Sequence, residues 1–367
     1  MADYIIRRIL LVFPTLFIIT VLSFAISRLA PGDPAELKAG VGSGQGMSTG
    51  QGRDLNEKMI ELIRKQWNLD KPLFYFTFIK DFDTKHPETI FSRLTIRWNS
   101  TNNQYHIWTA NVLKLDFGRS FRDNQPVLGK IKERIPITLT LNLISTFLAY
   151  LIAIPLGIYS AVNQHTLMDR ISTVTVFILY SLPNFWIGTM LIIFFGGGDF
   201  FDFFPYAGLY SNNYESLSFL GKLSDLLWHM ILPVAVYTYG SFAYLSRQMR
   251  VGMLEVIRQD YIRTARAKGL NENIVIYKHA LRNSLIPIVT ILAYILPAMI
   301  GGSVIIETIF TIPGMGSLAF EAITSRDYPI VMAVFTISAI LTLIGILLAD
   351  LLYSVVDPRI TFGKKES

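Results

Sequence analysis

The sequence predicts an all-α polytopic membrane protein with six transmembrane helices, both termini cytoplasmic, and an α+β extracytoplasmic insertion between the first two helices. Three observations carry this. Of 367 residues, 51% are hydrophobic and only 16% charged, against about 25% charged in ordinary soluble domains. A chain bathed in lipid needs charge only at its ends and loops. Six stretches reach the ~20 apolar residues that cross a hydrocarbon core, and the Lys and Arg residues sort by loop.

The first span, 9–29, follows Arg7 and Arg8. Its apolar run exceeds the 7–15 residues, roughly, of a secretory h-region, and no small-x-small site follows. Residues 1–30 therefore read as a retained N-terminal transmembrane helix. Residues 31–134 form the extracytoplasmic segment. Its opening glycines (Gly40, Gly42, Gly44, Gly46, Gly50, Gly52) read as a flexible linker. Leu55, Met59, Ile60, Leu62, Ile63 and Trp67 then recur at the spacing of an amphipathic helix. Leu94, Ile96 and Trp98 before residues 99–103, with His106 and Trp108 after, predict a β-hairpin, either a surface decoration or a partner-binding element. Asn99-Ser100-Thr101 matches a glycosylation sequon, a pattern too short to be informative.

The transmembrane core, 135–356, carries spans 137–162, 171–195, 226–245, 285–306 and 330–349, and a cytoplasmic tail occupies 357–367. Four of the six spans carry no charge, the exceptions being Arg28 in the first and His229 in the fourth. Asn142, Asn184, His229 and Tyr237 are candidates to line a pathway, and each is equally well read as a group bonded to a neighbouring helix. Gly301-Gly302 suits close helix packing. Glu307 and Asp350 fall at opposite span ends, where they read as interfacial rather than as a proton relay.

Orientation follows from the basic residues. Arg7, Arg8, Arg170, the eight from Arg247 to Arg282, Arg359, Lys364 and Lys365 fall on one side, whereas the two short loops of the other side hold only Lys222 and Arg326. The positive-inside rule places both termini in the cytoplasm. The net charge of +6 is then topological and calls for no nucleic acid. Absence of cysteine excludes disulfides and thiolate chemistry, and the five histidines lack ligand spacing, so neither a metal site nor a catalytic residue is assigned.

The most informative stretch is the cytoplasmic loop 246–284. Asp260 favours a helix start, Arg266 and Lys268 suit its C-terminal end, and Gly269 supplies a left-handed stop. Thr264, Ala265 and Ala267 give this helix a small-residue surface that fits helix-in-groove recognition. The competing reading is that Arg263, Arg266 and Lys268 hold the loop against anionic headgroups, at about 1 kcal/mol each. A second helix follows from Asn271-Glu272-Asn273.

The run Arg263-Thr264-Ala265-Arg266-Ala267-Lys268-Gly269-Leu270, with His279-Ala280-Leu281-Arg282-Asn283 and Ile286-Pro287, resembles the ATPase-contacting loop of binding-protein-dependent ABC importer permeases of the dipeptide, oligopeptide and nickel branch. Ala30-Pro31-Gly32-Asp33-Pro34, Asp116-Phe117-Gly118-Arg119-Ser120, Glu307-Thr308-Ile309-Phe310, Pro313-Gly314-Met315-Gly316, Arg326-Asp327-Tyr328-Pro329 and Asp357-Pro358-Arg359 are similar to the same branch in the same order. The segment from Lys80 to Val112 is longer than that branch usually carries.

The resemblance implies a permease subunit for peptides or related small solutes, working with a second homologous but different permease, two ATPase subunits and an extracytoplasmic solute-binding protein in the inner-membrane bilayer. It implies that Asp260, Tyr261, Arg263, Thr264, Ala265, Arg266, Ala267, Lys268, Gly269 and Leu270 form the ATPase-docking coupling loop, whose motion tilts helices kinked at Pro155, Pro183, Pro233 and Pro297. The chain has no Gly-x-x-x-x-Gly-Lys-Ser/Thr loop, so it is expected to be no enzyme and to bind no cofactor, with ATP and Mg used by the partner subunits. The alternative is a stand-alone secondary transporter, which predicts intramembrane acids and an internal repeat.

Overall fold

The computed structural model describes residues 2–29, 32–39, 50–80, 94–197, 200–289, 291, 295 and 301–356. Its helices, in chain order, begin with α1 (Ala2–Leu29), α2 (Pro34–Lys38), α3 (Gly50–Gln66), α4 (Gln104–Leu113) and α5 (Val127–Val162). Then come α6 (Leu167–Ser181), α7 (Asn184–Phe195), α8 (Phe219–Ile257), α9 (Asp260–Ala267), α10 (Glu272–Ile274) and α11 (Leu281–Ser284). The last are α12 (Val304–Ile309), α13 (Met315–Thr324) and α14 (Tyr328–Val356), and two strands, β1 (Phe76–Lys80) and β2 (Leu94–Trp98), complete the elements. The chain divides into two compact units, one of Met1–Pro14, Lys132–Phe320 and Ser338–Ser367, the other of Thr15–Ile131 and Glu321–Ile337.

Among the described residues, α1, α5, α8 and α14 are each long and apolar enough to cross a membrane, and α6 with α7 adds a fifth candidate. The third span expected over 171–195, with Pro183 among the expected kink sites, is a pair of helices bent by 98°. Proline causes the break, because Pro183 has no N–H to donate and disfavours helical geometry at Leu182, which is extended at φ −86°, ψ 133°. The carbonyls freed at Leu179 and Leu182 share the hydroxyl of Tyr239 from α8. Much of the fifth expected span, including Pro297, lies outside the described residues.

Helix α8 also differs from expectation, running on from the apolar window at 226–245 to Ile257. At 1.5 Å per residue its 39 residues extend about 58 Å, well past a ~30 Å hydrocarbon core. The loop expected from 246 therefore begins as helix. A small residue sets the crossing with α5, since a Cβ on Gly157 would lie 2.6 Å from Met249 Cβ and 2.8 Å from the Ser246 carbonyl.

Glu307 is not interfacial but fully buried. Its carboxylate accepts from Thr138 Oγ1 of α5 at 3.1 Å and from the Ser317 amide in the first turn of α13 at 2.7 Å. Thr138 Oγ1 in turn accepts from the Met315 amide at 2.8 Å. A carboxylate at a helix N-terminus satisfies amides that have no intrahelical partner. Two glycines make room for it: a Cβ on Gly302 would sit 2.2 Å from Oε1 and one on Gly314 2.3 Å from Cδ, while one on Gly316 would first meet the Val304 amide nitrogen at 2.7 Å. Gly302 adopts φ +67°, so it serves this turn rather than the flat helix contact expected of Gly301-Gly302.

In the second unit, α3 forms where the amphipathic spacing predicted it, while the glycine run over 40–49 lies outside the described residues and Gly50 and Gly52 open the helix. The expected hairpin about 99–103 is not formed. β2 pairs antiparallel with β1, Phe76 opposite Trp98, and His106 and Trp108 lie on α4. Asn99 and Asn103 explain the difference. Asn99 Nδ2 donates to the Phe74 carbonyl at 3.0 Å and Thr77 Oγ1 at 2.6 Å, which ties the turn back to the preceding strand. Asn103 Oδ1 accepts from the His106 amide at 2.8 Å and caps a helix.

Motifs far apart in sequence meet in this unit. Buried Asp327 accepts from the Ser120 hydroxyl and from the Phe121 amide at 3.0 Å. The Tyr328 hydroxyl donates to the Gly32 carbonyl at 3.2 Å, and Gly32, at φ +102°, leaves space that Arg326 fills.

The Glu307 cage predicts a specific coupling. Gly314→Ala is expected to destabilise the chain by about 1–3 kcal/mol through overpacking, and Glu307→Ala by a similar amount through the unsatisfied Ser317 amide. Because the clash is with Glu307 itself, the double variant should cost clearly less than the sum. Thermal unfolding of the detergent-solubilised variants checks this, and strictly additive losses would remove Glu307 as the reason for the glycines.

Candidate functional site

Helix α9 is fastened to the chain by one face. Ile262 and Ala265, one turn apart, are buried with Met249 and Met253 of α8, Ile158 and Ala161 of α5, and Val275, Ile276, Ala280 and Ile288. Burying a residue of isoleucine size stabilises by about 1.5–3 kcal/mol. α8 and α11 approach closely here, since a Cβ on Gly252 would lie 3.1 Å from the Ser284 carbonyl. The segment between α10 and α11, Val275–Ala280, is wound as a π-helix.

Two polar ties add orientation. The Arg266 guanidinium grips the Glu272 carboxylate twice, Nε to Oε2 at 3.1 Å and Nη2 to Oε1 at 2.6 Å. This bond holds the Glu272 carboxyl below its usual value and raises Arg266. Asn283 Nδ2 donates to the Tyr261 hydroxyl at 2.6 Å. The Asn271 side chain accepts from the Asn273 amide at 2.9 Å and so starts α10. α9 is thus anchored by an apolar stripe beneath and by polar contacts to α10 and α11.

Its other face is open. Asp260, Tyr261, Arg263, Thr264, Arg266, Ala267, Lys268, Gly269 and Leu270 are all exposed. Gly269 ends the helix at φ +74°, with its amide donating to the Arg266 carbonyl at 2.9 Å. Nothing lies within 4 Å of a Cβ built there, so a side chain at 269 meets backbone strain and no neighbour. Ala265 departs from the expected docking surface, because its side chain belongs to the core. The hydrophobic period explains this: Ile262 and Ala265 stand at i and i+3 on the same face.

Each of the four expected pathway residues has a polar or packing contact within the chain. Asn142 Nδ2 donates to the Thr138 carbonyl at 2.9 Å on its own helix. Asn184, exposed at the start of α7, packs on Gly240, where a Cβ would lie 3.0 Å from Nδ2. His229 is buried, with Nδ1 2.8 Å from the Asp225 carbonyl. Tyr237 accepts the Ser303 amide at 3.0 Å on its hydroxyl.

Besides Asp327, two buried acids were not singled out as structural in the sequence. Glu307 is one, and the Gly-x-Gly at 314–316 seven residues later was its available signal. Asp169 is the other. It accepts from Ser160 Oγ at 2.5 Å and pairs with Arg250 of α8 at 3.1 Å, and no short-range pattern links these residues.

The same segment lies within a wider similarity to known proteins. The family model described as "Binding-protein-dependent transport system inner membrane component" matches residues 153–362. The chain is 40% identical to the "Oligopeptide transport system permease protein AppB" of Bacillus subtilis (strain 168), over 99% of this chain and 100% of that protein. It is 34% identical to the "Inner membrane ABC transporter permease protein YejB" of Escherichia coli O157:H7, over 99% of each. With the "Peptidoglycan transport system permease protein YejB" of Agrobacterium fabrum it shares 33% identity over the whole of both.

The Arg266–Glu272 grip predicts a local effect. Glu272→Gln should speed amide hydrogen exchange over 260–270 severalfold while leaving the melting temperature nearly unchanged, since half-exposed pairs contribute little to global stability. Because the Glu272 carboxyl is held below the ordinary 4.5, the wild-type grip is fully formed at neutral pH. It should be lost only as pH falls through that depressed value. Unchanged exchange in the variant would mean that the apolar stripe alone sets the position of α9.

Proposed function

The chain belongs to the family of binding-protein-dependent transport system inner membrane components, and from that membership we propose that α9 and the Gly269 turn are the surface through which ATP hydrolysis drives transport. The protein is a multi-pass inner-membrane permease of an ABC transport system. The observation that carries the coupling assignment is the two-faced character of α9. Its inner face is buried against α5 and α8, and its outer face presents Thr264, Ala267 and Gly269 among Arg263, Arg266 and Lys268. Small residues let a partner groove close on the helix, and the basic ones favour an acidic groove wall.

In this reading the ATPase subunits are separate chains that use ATP and Mg, and their closure moves α9 as a rigid body. Because α8 enters the same cluster as α9, the displacement passes directly to a membrane-spanning helix. The break at Pro183 and the proline within α8 at Pro233 are places where such a displacement changes helix direction. A second, unlike permease completes the pathway, and a binding protein delivers cargo to the extracytoplasmic segment 31–134. Both termini then face the cytoplasm, as the distribution of Lys and Arg supports. The relatives are named for oligopeptide and peptidoglycan transport, which supports peptides as the cargo class. The ion-driven alternative is not favoured: the fully buried Glu307 is held by Thr138 and the Ser317 amide within a glycine cage.

The test is peptide-stimulated ATP hydrolysis and peptide uptake by the reconstituted complex carrying Ala267→Trp. Position 267 is exposed, so the chain should insert and melt as wild type while coupled hydrolysis and uptake fall at least tenfold. Wild-type coupling in this variant would show that α9 is not the docking element.

A further inference from the structure

A cavity of about 660 Å³ lies between α5, α6 and α8 within one compact unit, inside the ~300–1,000 Å³ range of pockets that hold small ligands. Each of the three helices lines it with polar side chains at one level and apolar ones a turn away. On α5, Ser160 stands at the end of the apolar window 137–162, and Leu156 lies one turn inside. On α6, Ser172 and Thr173 stand at the start of the window 171–195, with Val176 and Phe177 one turn inside. On α8, Arg247 and Arg250 follow the end of the window 226–245, with Ala243 and Tyr244 inside it. Val251 departs from this order. The polar level therefore coincides with three span ends on the α9 side of the membrane, the level of the lipid headgroups.

The free charge at that level is accessible. Arg247 is exposed and in no ion pair among the described residues. Arg250 instead donates from Nη2 to Asp169 Oδ2 at 3.1 Å. Asp169 also accepts from Ser160 Oγ at 2.5 Å and from the His165 amide at 3.0 Å. The Arg250–Asp169 charges cancel, so the polar level carries the single positive charge of Arg247. Among the described residues no acidic side chain lines the cavity. At the apolar level Phe177 and Tyr180 are 67% and 61% exposed, so the cavity opens outward from the span.

We propose that this cavity binds one anionic phospholipid, its phosphodiester on Arg247 beside Gln248 and Arg250, and the upper part of an acyl chain against Leu156, Val176 and Phe177. One phosphodiester balances one arginine. A lipid is the ligand that presents phosphate at the span ends and hydrocarbon one turn inside, and basic pockets between membrane helices take such headgroups. Free phosphate would leave the apolar level empty. A zwitterionic lipid would bring a cation that meets no acid. Ile158 and Met249, from the same turns of α5 and α8, belong to the cluster beneath α9, so the lipid packs against the helices that hold α9. The site depends neither on the coupling role of α9 nor on the class of cargo.

The experiment is native mass spectrometry of the complete complex released from nanodiscs of phosphatidylglycerol and phosphatidylethanolamine in equal amounts. Wild type should retain one phosphatidylglycerol per copy of this chain that the variants lose, favoured at least tenfold over phosphatidylethanolamine. Arg247→Gln should lower its occupancy at least fivefold, and Arg247→Lys should restore at least half of it. Val176→Trp, which fills the apolar level and leaves both arginines in place, should abolish it. The same spectra report assembly. Because Arg247 is exposed, its two variants decide the outcome if the tryptophan variant does not assemble. Equal retention in Arg247→Gln, or equal retention of the two lipids, overturns the proposal. So does the absence of retained lipid, as when the second permease fills the cavity. Inorganic phosphate is added in parallel. If it displaces the lipid while Val176→Trp has no effect, the site takes a soluble anion and the lipid assignment fails.

Discussion

The burial of Ile262 and Ala265 beneath α9 is the contact on which the proposed coupling depends. A helix of eight residues has little stability of its own in water. It is ordered because these side chains join a cluster contributed by α5, α8 and the segment after α10. That cluster makes α9 part of the membrane-spanning scaffold rather than a loop tethered to it. A force on the exposed face then reaches α8 through packed side chains, which resist compression.

The second constraint is the handling of polar groups where helices stop. Glu307 meets the amide at the start of α13, Tyr239 meets the carbonyls freed at the α6–α7 break, and Asp327 meets Ser120 and the Phe121 amide. In each case a side chain from one segment satisfies the backbone of another. Such groups are costly when buried without partners, and more so near lipid. These bonds also give physical content to several short motifs. Gly302 and Gly314 are small because Glu307 occupies the space, Gly316 because the backbone at Ser303 and Val304 does, and Gly32 because Arg326 does.

Much of this was legible in the sequence. Apolar runs marked α1, α5, α8 and α14, and the amphipathic spacing marked α3. Asp260 and Gly269 marked the ends of α9. What escaped was set by contacts distant along the chain. The residues of β2 alternate as a strand should, yet the sequence did not reveal that their partner precedes them at β1, because Asn99 and Asn103 turn the following chain into a helix. The kink site at Pro183 was legible but the size of the bend was not, because it depends on which neighbouring groups take up the backbone carbonyls, and here Tyr239 does so from another helix. Ala265 read as a docking residue because it is small. Only the packing of Ile262 beside it reveals that it faces inward.

The central claim is that α9 meets an ATPase subunit with its outer face alone, and the absence of cysteine from the chain permits a direct test. Single cysteines introduced by Arg263→Cys, Ala267→Cys and Ile262→Cys would be treated with a short bifunctional maleimide in membranes containing the whole complex. The account predicts crosslinks to an ATPase subunit from positions 263 and 267 and none from 262. It would be contradicted if neither exposed position crosslinked, or if both reacted with a membrane-impermeant maleimide added from outside intact cells.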